Sequence, residues 1–152
     1  MTVNHIEDKN KLLHLNNQLC FTIYACSREI IQLYRPLLRE LDLTYSQYLV
    51  MLVLWEHGKV TMSQLGNHLY LDNGTLTPLI KRLIGSGVVE KKRSIDDERV
   101  VHITLTEEGI KLKEKAYNIP SSIMPLLMKD PSIKEKMENL LADIQKENKK
   151  KI

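Results

Sequence analysis

The sequence predicts a mainly α-helical fold with one small β-hairpin. Apolar residues recur at three- and four-residue steps through several long segments, which is the period of an amphipathic helix. Between residues 88 and 105 the period falls to two, as in a pair of short strands around a polar turn. The chain has 152 residues, with one Phe and one Trp against many Leu and Ile. This length suits one domain with a sizeable core.

The first predicted helix covers about residues 9 to 38, and Pro36 is expected to end or kink it. Its apolar stripe is Leu12, Leu15, Leu19, Ile23, Ile30, Leu33 and Leu37. A second stripe precedes a lysine tail at 149–151 and is Ile133, Met137, Leu140, Leu141 and Ile144. Terminal helices with such stripes commonly pair with a second chain, so residues 9–40 and 110–148 are predicted to form dimerisation helices of a homodimer. Packing of these helices on their own domain is the alternative.

Two helices in the middle of the chain are predicted from their start signals. Thr44 with Gln47, and Thr61 with Gln64, have the spacing of capping boxes, in which side chain and backbone bond each other reciprocally. The first of these helices is expected to stop at Gly58 and the second to reach about residue 70.

A further helix is predicted to end in the glycine-rich stop at 85–87. Because Pro78 is comfortable only near the first turn of a helix, the helix is expected to start late, at Gly74 or Thr75. Strands are then expected at 88–93 and 100–105, around a polar turn. A fifth helix follows the cap at 106–109, and prolines are expected to break the remainder into short pieces at Pro120, Pro125 and Pro131.

Two short helices followed by a hairpin make the winged helix-turn-helix plan, predicted here for residues 41–107. The major groove of B-DNA is about 12 Å wide and admits one helix, while an arginine on a narrow hairpin loop suits an A·T-rich minor groove. Asp97 is expected to brace such an arginine, Arg99. The predicted DNA-binding residues are Asn73, Thr75, Thr77, Lys81 and Arg82 on the helix, and Lys91, Lys92, Arg93, Asp97 and Arg99 on the hairpin.

Charge alone does not establish a nucleic-acid partner. The chain has 22 basic and 19 acidic residues, a net charge of +3, so the order of the elements carries the prediction. The longest apolar run, Tyr48 to Trp55, is far short of the roughly 20 residues of a membrane span. Residues 1–11 are polar and contain Glu7 and Asp8, unlike a targeting segment. A cytoplasmic protein without membrane contact, cofactor or structural disulfide is therefore expected.

Several motifs resemble those of the MarR family of bacterial regulators. The motifs are Tyr45-x-x-Tyr48, the run LDNGTLTPLIKRL at 71–83, RSIDDER at 93–99, and Leu105-Thr106-x-x-Gly109. Together with NQLCFTIY at 17–24, the sequence is similar to the organic hydroperoxide-responsive (OhrR-like) thiol-based repressors of that family. The resemblance covers roughly residues 15 to 120.

The resemblance implies a homodimeric repressor on a pseudo-palindromic operator, with recognition helices in successive major grooves and Arg99 in the minor groove. It also implies that an organic hydroperoxide oxidises Cys20 and thereby releases the DNA. In the family, two tyrosines of the partner subunit hydrogen-bond this cysteine, and they align with Tyr34 and Tyr45. Tyr24 aligns with a further tyrosine of the same pocket.

Cys20 also has an ordinary interpretation, because cysteines on an apolar helix stripe are commonly inert. A sensor needs a stabilised thiolate. The helix is expected to begin well upstream of Cys20, so its dipole would help little and tyrosine hydroxyls would be the donors. Oxidation would give a sulfenic acid, which either condenses with another thiol, such as a small cellular thiol, or is over-oxidised.

Cys26 is interpreted by default as a packing residue. Six helical residues separate it from Cys20 by about 9 Å of rise. A disulfide requires Cα atoms within about 7 Å, so the two cannot pair within one intact helix. Pairing of Cys20 with Cys26 of the partner subunit remains open.

Three rival functions remain. The first is a MarR-type regulator in which Cys20 is structural and the signal is a small aromatic ligand. A one-cysteine thiol peroxidase is disfavoured, because there is no Cys-x-x-Cys motif, no βαβ pattern and no Cys, His and acid cluster. A winged helix used only for protein contacts is the third. The histidines lack metal-ligand spacing, so no metal site is expected.

Overall fold

A computed structural model describes residues 9–150, so most of the polar N-terminal segment, with Glu7 and Asp8, and Lys151 of the lysine tail lie outside the described residues. The chain divides into two compact units between Ala116 and Tyr117. The first contains α1 (Lys9–Leu12), a 3₁₀ turn (Leu15–Asn17), α2 (Leu19–Arg39), α3 (Tyr45–His57), β1 (Lys59–Thr61), α4 (Met62–Leu69), α5 (Asn73–Gly85), β2 (Val89–Arg93), β3 (Val101–Leu105) and α6 (Glu107–Ala116). The second contains α7 (Asn118–Leu127) and α8 (Ile133–Lys149). The expected mainly helical fold is confirmed.

The first predicted helix is interrupted before Cys20. The side-chain amide of Asn17 donates to the carbonyl of Lys11 at 2.7 Å, and that of Gln18 donates to the carbonyl of Leu12 at 2.6 Å. Such side-chain bonds to nearby carbonyls compete with a continuous helix. The expectation that the helix begins well upstream of Cys20 is therefore wrong, since Cys20 is the second residue of α2.

Three prolines are accommodated inside helices where the sequence predicted an end or a late start. α2 continues three residues beyond Pro36, Pro78 is the sixth residue of α5, and Pro125 lies within α7. An internal proline costs about 3 kcal/mol. In α5, Leu76 and Ile80 are fully buried, and each contributes about 1.5–3 kcal/mol by that burial. Packing of the helix face therefore outweighs the lost hydrogen bond.

Both predicted capping boxes are confirmed. Thr44 N–H donates to Gln47 Oε1 at 2.8 Å while Gln47 N–H donates to Thr44 Oγ1 at 3.3 Å. Thr61 and Gln64 repeat the arrangement at 2.9 and 3.2 Å. Gly58, with φ +74°, ends α3 as expected, because a positive φ is readily adopted by glycine.

The hairpin is confirmed, but it belongs to a three-stranded antiparallel sheet in the order β1–β3–β2. β1 was not predicted, because three residues are too few to display a period of two. Its Val60 pairs with Ile103, and both are buried, so β1 attaches the base of the hairpin to the helical core.

α3 forms the centre of the first unit. Val50, Met51 and Leu54 have no accessible surface, and the helix contacts α2, α4, α5, α6, β1 and β3. The indole N–H of Trp55 donates to the carbonyl of Gly109 at 2.9 Å, which ties α3 to the start of α6. α3 thus fixes the position of the elements that carry the candidate sites.

Gly109→Ala is expected to destabilise the fold by about 2–4 kcal/mol, because its Cβ would collide with the backbone carbonyl of Val88. Gly85→Ala is the matched helical control, since a Cβ there meets open space. Urea unfolding followed by circular dichroism measures both. Equal stability of the two variants would contradict the close packing of α6 on Val88, the residue before β2.

Candidate nucleic-acid interface and thiol site

A sharp turn links α4 to α5. Tyr70 ends α4 in the left-handed conformation, with φ +56°. Gly66 lies so close to the Leu71 carbonyl that an added Cβ would stand 2.7 Å from that oxygen. Glycine here allows the two helices to approach closely, as a helix-turn-helix requires.

Asp72 organises the exposed beginning of α5. Its Oδ1 accepts from the backbone N–H of Thr75 at 2.8 Å, and its Oδ2 accepts from the Thr75 hydroxyl at 3.1 Å. These hydrogen bonds, led by the backbone one, hold the pKa of Asp72 below its usual value. The cap fixes the first turn of α5, where free N–H groups face outward.

The two threonines of α5 are oriented by the helix itself. The Thr75 hydroxyl donates to Asp72, and the Thr77 hydroxyl donates to the Asn73 carbonyl at 2.7 Å. Both residues are exposed, as is Asn73. Since the hydroxyl protons are used within the helix, the threonine methyl groups and oxygen lone pairs are the parts left for a ligand. A base edge with a methyl group and a donor matches that surface better than a phosphate does.

The tip of the hairpin is braced by its own side chains. Arg99 donates to both Asp97 carboxylate oxygens, from Nε at 3.1 Å and from an Nη at 3.3 Å. Its side chain is nevertheless 91% exposed. The Arg99 guanidinium holds the pKa of Asp97 below its usual range. The sequence-predicted brace of Arg99 by Asp97 is therefore present as a contact, and it presents a cation at the hairpin tip.

The remaining basic residues of the hairpin differ in whether they already have a partner within it. Arg93 donates to the backbone carbonyl of Glu98 at 3.0 Å, which closes the turn. Lys92 forms an ion pair with Glu90 at 2.7 Å. Lys91 is exposed. Arg93 and Lys92 thus already have partners within the hairpin.

Among the predicted DNA-binding residues of α5, Arg82 differs from the others because it lines a cleft on the protein. Lys81 and Arg82 are both exposed, and Arg82 lines a cleft of about 630 Å³ together with Arg35 and Arg39 of α2. Neither arginine of α2 was among the predicted site residues. The sequence carries no local signal for them, because only the packing of α2, α3 and α5 places them in the same cleft as Arg82.

The structure brings Tyr34 and Tyr45 together but holds Cys20 apart from them. The two rings lie 4.9 Å apart between centroids. Cys20 and Tyr34 both belong to α2, and fourteen helical residues span about 21 Å. The thiol of one chain therefore cannot reach the tyrosine pair of the same chain. Cys20 and Cys26 are both free and exposed.

Tyr24 is exposed on α2 and is not in ring contact with this pair. Its ring is 58% exposed and carries the Arg28 guanidinium at 5.6 Å. This arrangement is a cation–π contact. Within the single chain, Tyr24 is thus partnered by Arg28 and not by the other tyrosines.

Tyr48 is a third member of the tyrosine cluster that sequence reasoning did not include. Its ring lies 5.9 Å from Tyr34 and 6.4 Å from Tyr45, and it is 3% exposed. Burial, followed by the nearby Tyr34 and Tyr45, raises the pKa of Tyr48 to about 12. The Tyr45-x-x-Tyr48 spacing was the available signal, because residues three apart share a helix face.

Apolar side chains remain exposed in each of the two units. On α2 and the segment before it they are Leu12, Leu13, Leu15, Leu19, Phe21, Ile23 and Leu33. On α8 they are Ile133, Met137, Leu141 and Ile144. These are most of the residues of the two predicted stripes, and large exposed apolar patches mark interaction surfaces.

Neither a metal cluster nor a membrane helix occurs in the described part of the chain. Within residues 9–150 no three His, Cys, Asp or Glu side chains group in a way that suits a metal ion. None of the helices over that range is long and apolar enough to cross a membrane.

A family model described as transcriptional regulator SarA/Rot matches residues 32–116. The chain is also similar to the organic hydroperoxide resistance transcriptional regulator of Bacillus subtilis (strain 168), with 52% identity over 121 residues. That match covers 80% of this chain and 82% of the relative.

Solved structures of AbfR from Staphylococcus epidermidis have the same fold. Overoxidized AbfR bound to DNA is 39% identical, with a TM-score of 0.73 over 90% of this chain and 97% of that one. The disulfide form of AbfR matches with a TM-score of 0.62 and 39% identity, over 90% of this chain and 96% of the other.

The fold is expected to lose stability between about pH 10 and pH 12 through Tyr48. A raised pKa means that the folded state favours the neutral phenol, so the contribution is complete below the ordinary value of about 10 and is lost as pH rises through about 12. The free energy of unfolding of wild type and Tyr48→Phe, measured across this range, checks it. A wild-type profile parallel to that of the variant would contradict the raised pKa.

Proposed function

The chain belongs to the MarR/SarA family of transcriptional regulators, and we propose that it is a homodimeric repressor whose operator binding ends when an organic hydroperoxide oxidises Cys20. The observation that carries the proposal is the position of Cys20. It lies exposed in the first turn of α2, where the partial positive charge of a helix N-terminus favours an anionic group. Its tyrosine partners must come from a second chain.

We expect a pseudo-palindromic duplex DNA operator as the partner. α5 offers an exposed, capped first turn for the major groove, and Arg99 offers a braced, exposed cation for the minor groove. AbfR, a relative at 39% identity, has been solved bound to DNA. Two α5 helices, one from each subunit, would then read successive major grooves.

The homodimer is supported by the exposed apolar side chains of α2 and α8. Leu19 and Ile23 of α2, and Met137 of α8, are exposed to water in the single chain. Covering them with a second copy lowers the free energy, because apolar surface is removed from water. The same pairing is what would bring Cys20 of one subunit towards Tyr34 and Tyr45 of the other.

The proposed chemistry is a two-electron oxidation of sulfur. The Cys20 thiolate attacks the terminal oxygen of the hydroperoxide, an S–O bond forms, the O–O bond breaks, and the leaving alkoxide takes a proton to become an alcohol. A small thiol then condenses with the sulfenic acid, forming a mixed disulfide and releasing water. Because overoxidized AbfR was solved on DNA, we expect the bulkier disulfide to be the form that leaves the operator.

The proposed release of DNA depends on the spacing of the two recognition helices. The recognition helices of a dimer must remain about 34 Å apart to occupy successive major grooves. An adduct on Cys20 at a dimer contact, beside the closely packed tyrosine rings, would shift the two α5 helices relative to each other. Displacements of a few ångströms are enough to lose base contacts.

Cys20→Ser is expected to bind operator DNA as wild type does but to remain bound when cumene hydroperoxide and a small thiol are added. Cys26→Ser is the matched control, six residues along the same helix, and should still be released. Gel-shift titration measures both, and mass spectrometry assigns the adduct. Release of Cys20→Ser by peroxide would overturn the sensor assignment. Release by salicylate alone would favour the aromatic-ligand rival, and catalytic turnover of peroxide would favour the peroxidase.

Arg99→Gln is expected to weaken operator binding by about 1–3 kcal/mol and to reduce the salt dependence of the affinity. Lys134→Gln, an exposed cation on α8, is the control and should change neither. Fluorescence anisotropy at several salt concentrations measures both quantities. An Arg99→Gln protein with wild-type affinity and salt slope would rule out the minor-groove role.

A further inference from the structure

We propose that the cleft between α2, the start of α3 and the end of α5 binds the phosphate group of a phosphorylated molecule. The cleft has a volume of about 630 Å³ and lies entirely within the first unit. The residues that carry the proposal are Arg35, Arg39, Arg82 and Gln47. The site is distinct from the tyrosine cluster, to which Tyr45 alone is common, and does not depend on Cys20.

Three arginines converge on this cleft without carboxylate partners. Arg35, Arg39 and Arg82 are all exposed, and none of them forms an ion pair with any residue from 9 to 150. Asp42 is the one carboxylate among the residues that line the cleft. Like charges repel one another, so an excess of guanidinium groups in a single cleft favours an anion there.

The first turn of α3 adds donors to the same cleft. Thr44, Tyr45 and Ser46 line it, and α3 is a helix of 13 residues. The capping threonine satisfies the N–H of Gln47. The N–H groups of Tyr45 and Ser46 remain without helical partners, as at any helix start, and they favour an anion.

Gln47 adds a further donor to the wall of the cleft. The side chain is only 8% exposed and lines the cleft. Its Oε1 is committed to the Thr44 N–H at 2.8 Å, which fixes the orientation of the amide. Its Nε2 has no acceptor anywhere in the described chain. This amide N–H group is a free donor at the wall of the cleft, and an oxygen of a bound anion would accept from it.

The donor set suits phosphate better than carboxylate. Three guanidinium forks, one amide and two backbone N–H groups exceed what two carboxylate oxygens accept, whereas phosphate offers more oxygens and higher charge. The cleft is also larger than one phosphate group, so it has room for the sugar of a sugar phosphate or nucleotide beside the phosphate. The phosphate comes either from a free metabolite of this class or from the operator backbone.

A phosphate bound in the cleft would bridge two helices that have different proposed roles. Arg35 and Arg39 belong to α2, whereas Arg82 belongs to α5, the candidate recognition helix. An anion bound by all three restrains α5 relative to α2. Occupancy of the cleft is therefore a second input to DNA binding, separate from oxidation of the thiol.

The two capping boxes provide a matched pair of variants. Gln47→Glu and Gln64→Glu both keep a capping-box acceptor at the third helical position, but only Gln47→Glu puts a negative charge into the cleft. Calorimetric titration of reduced, full-length protein with pyrophosphate, at constant ionic strength and without DNA, is expected to give one site per chain. Gln47→Glu and Arg39→Gln should weaken binding on the order of tenfold or more, and Gln64→Glu should bind as wild type does.

A titration with duplex operator distinguishes the two sources. If pyrophosphate competes with DNA and Arg39→Gln lowers DNA affinity, the backbone supplies the phosphate. If Arg39→Gln binds DNA normally in the absence of pyrophosphate, the ligand is a free metabolite. Absence of saturable pyrophosphate binding, or equal weakening by Gln64→Glu, overturns the proposal. Neither result bears on release by peroxide, so the redox function is tested separately.

Discussion

The burial of α3 is the constraint on which the rest of the first unit depends. Val50, Met51 and Leu54 have no accessible surface. α3 contacts the four helices α2, α4, α5 and α6 and the two strands β1 and β3. Its start contributes Tyr45 and Tyr48 to the tyrosine cluster, and the same capped start lines the arginine cleft. The thiol-related cluster and the cleft are therefore attached to the same rigid element, and movement of α3 affects both.

The candidate DNA surface is preorganised by short-range hydrogen bonds. Asp72 fixes the first turn of α5, and Asp97 holds Arg99 in a pointing conformation while leaving it exposed. Each brace uses a carboxylate two or three residues away, so neither requires the DNA to be present. A surface ordered in advance loses less conformational entropy on binding. Exposed surface pairs contribute little to folding stability, so their value here lies in orientation.

The tyrosine cluster forms within one chain, whereas a site that combines it with the thiol requires two chains. Tyr34, Tyr45 and Tyr48 pack within one chain, whereas Cys20 lies about 21 Å along α2 from Tyr34. In the proposed sensor, which is completed only between subunits, the chemistry of one sulfur would be coupled directly to dimer geometry. The exposed apolar side chains of α2 are the surface by which that coupling would be built.

Local sequence signals determined the elements, and tertiary packing decided how they meet. Capping boxes at Thr44 and Thr61, the hairpin period and the motifs of the family are readable along the chain because each depends on residues a few positions apart. The interior position of Pro78 and the pairing of the short β1 strand were not readable, since packing energy or a non-local partner outweighs local preference. The start of α2 at Leu19 was not readable either, because the side chains of Asn17 and Gln18 bond the preceding carbonyls within an unbroken apolar period. Arg82 and the arginines of α2 are more than forty positions apart in the sequence, and only the folded chain brings them to the same cleft.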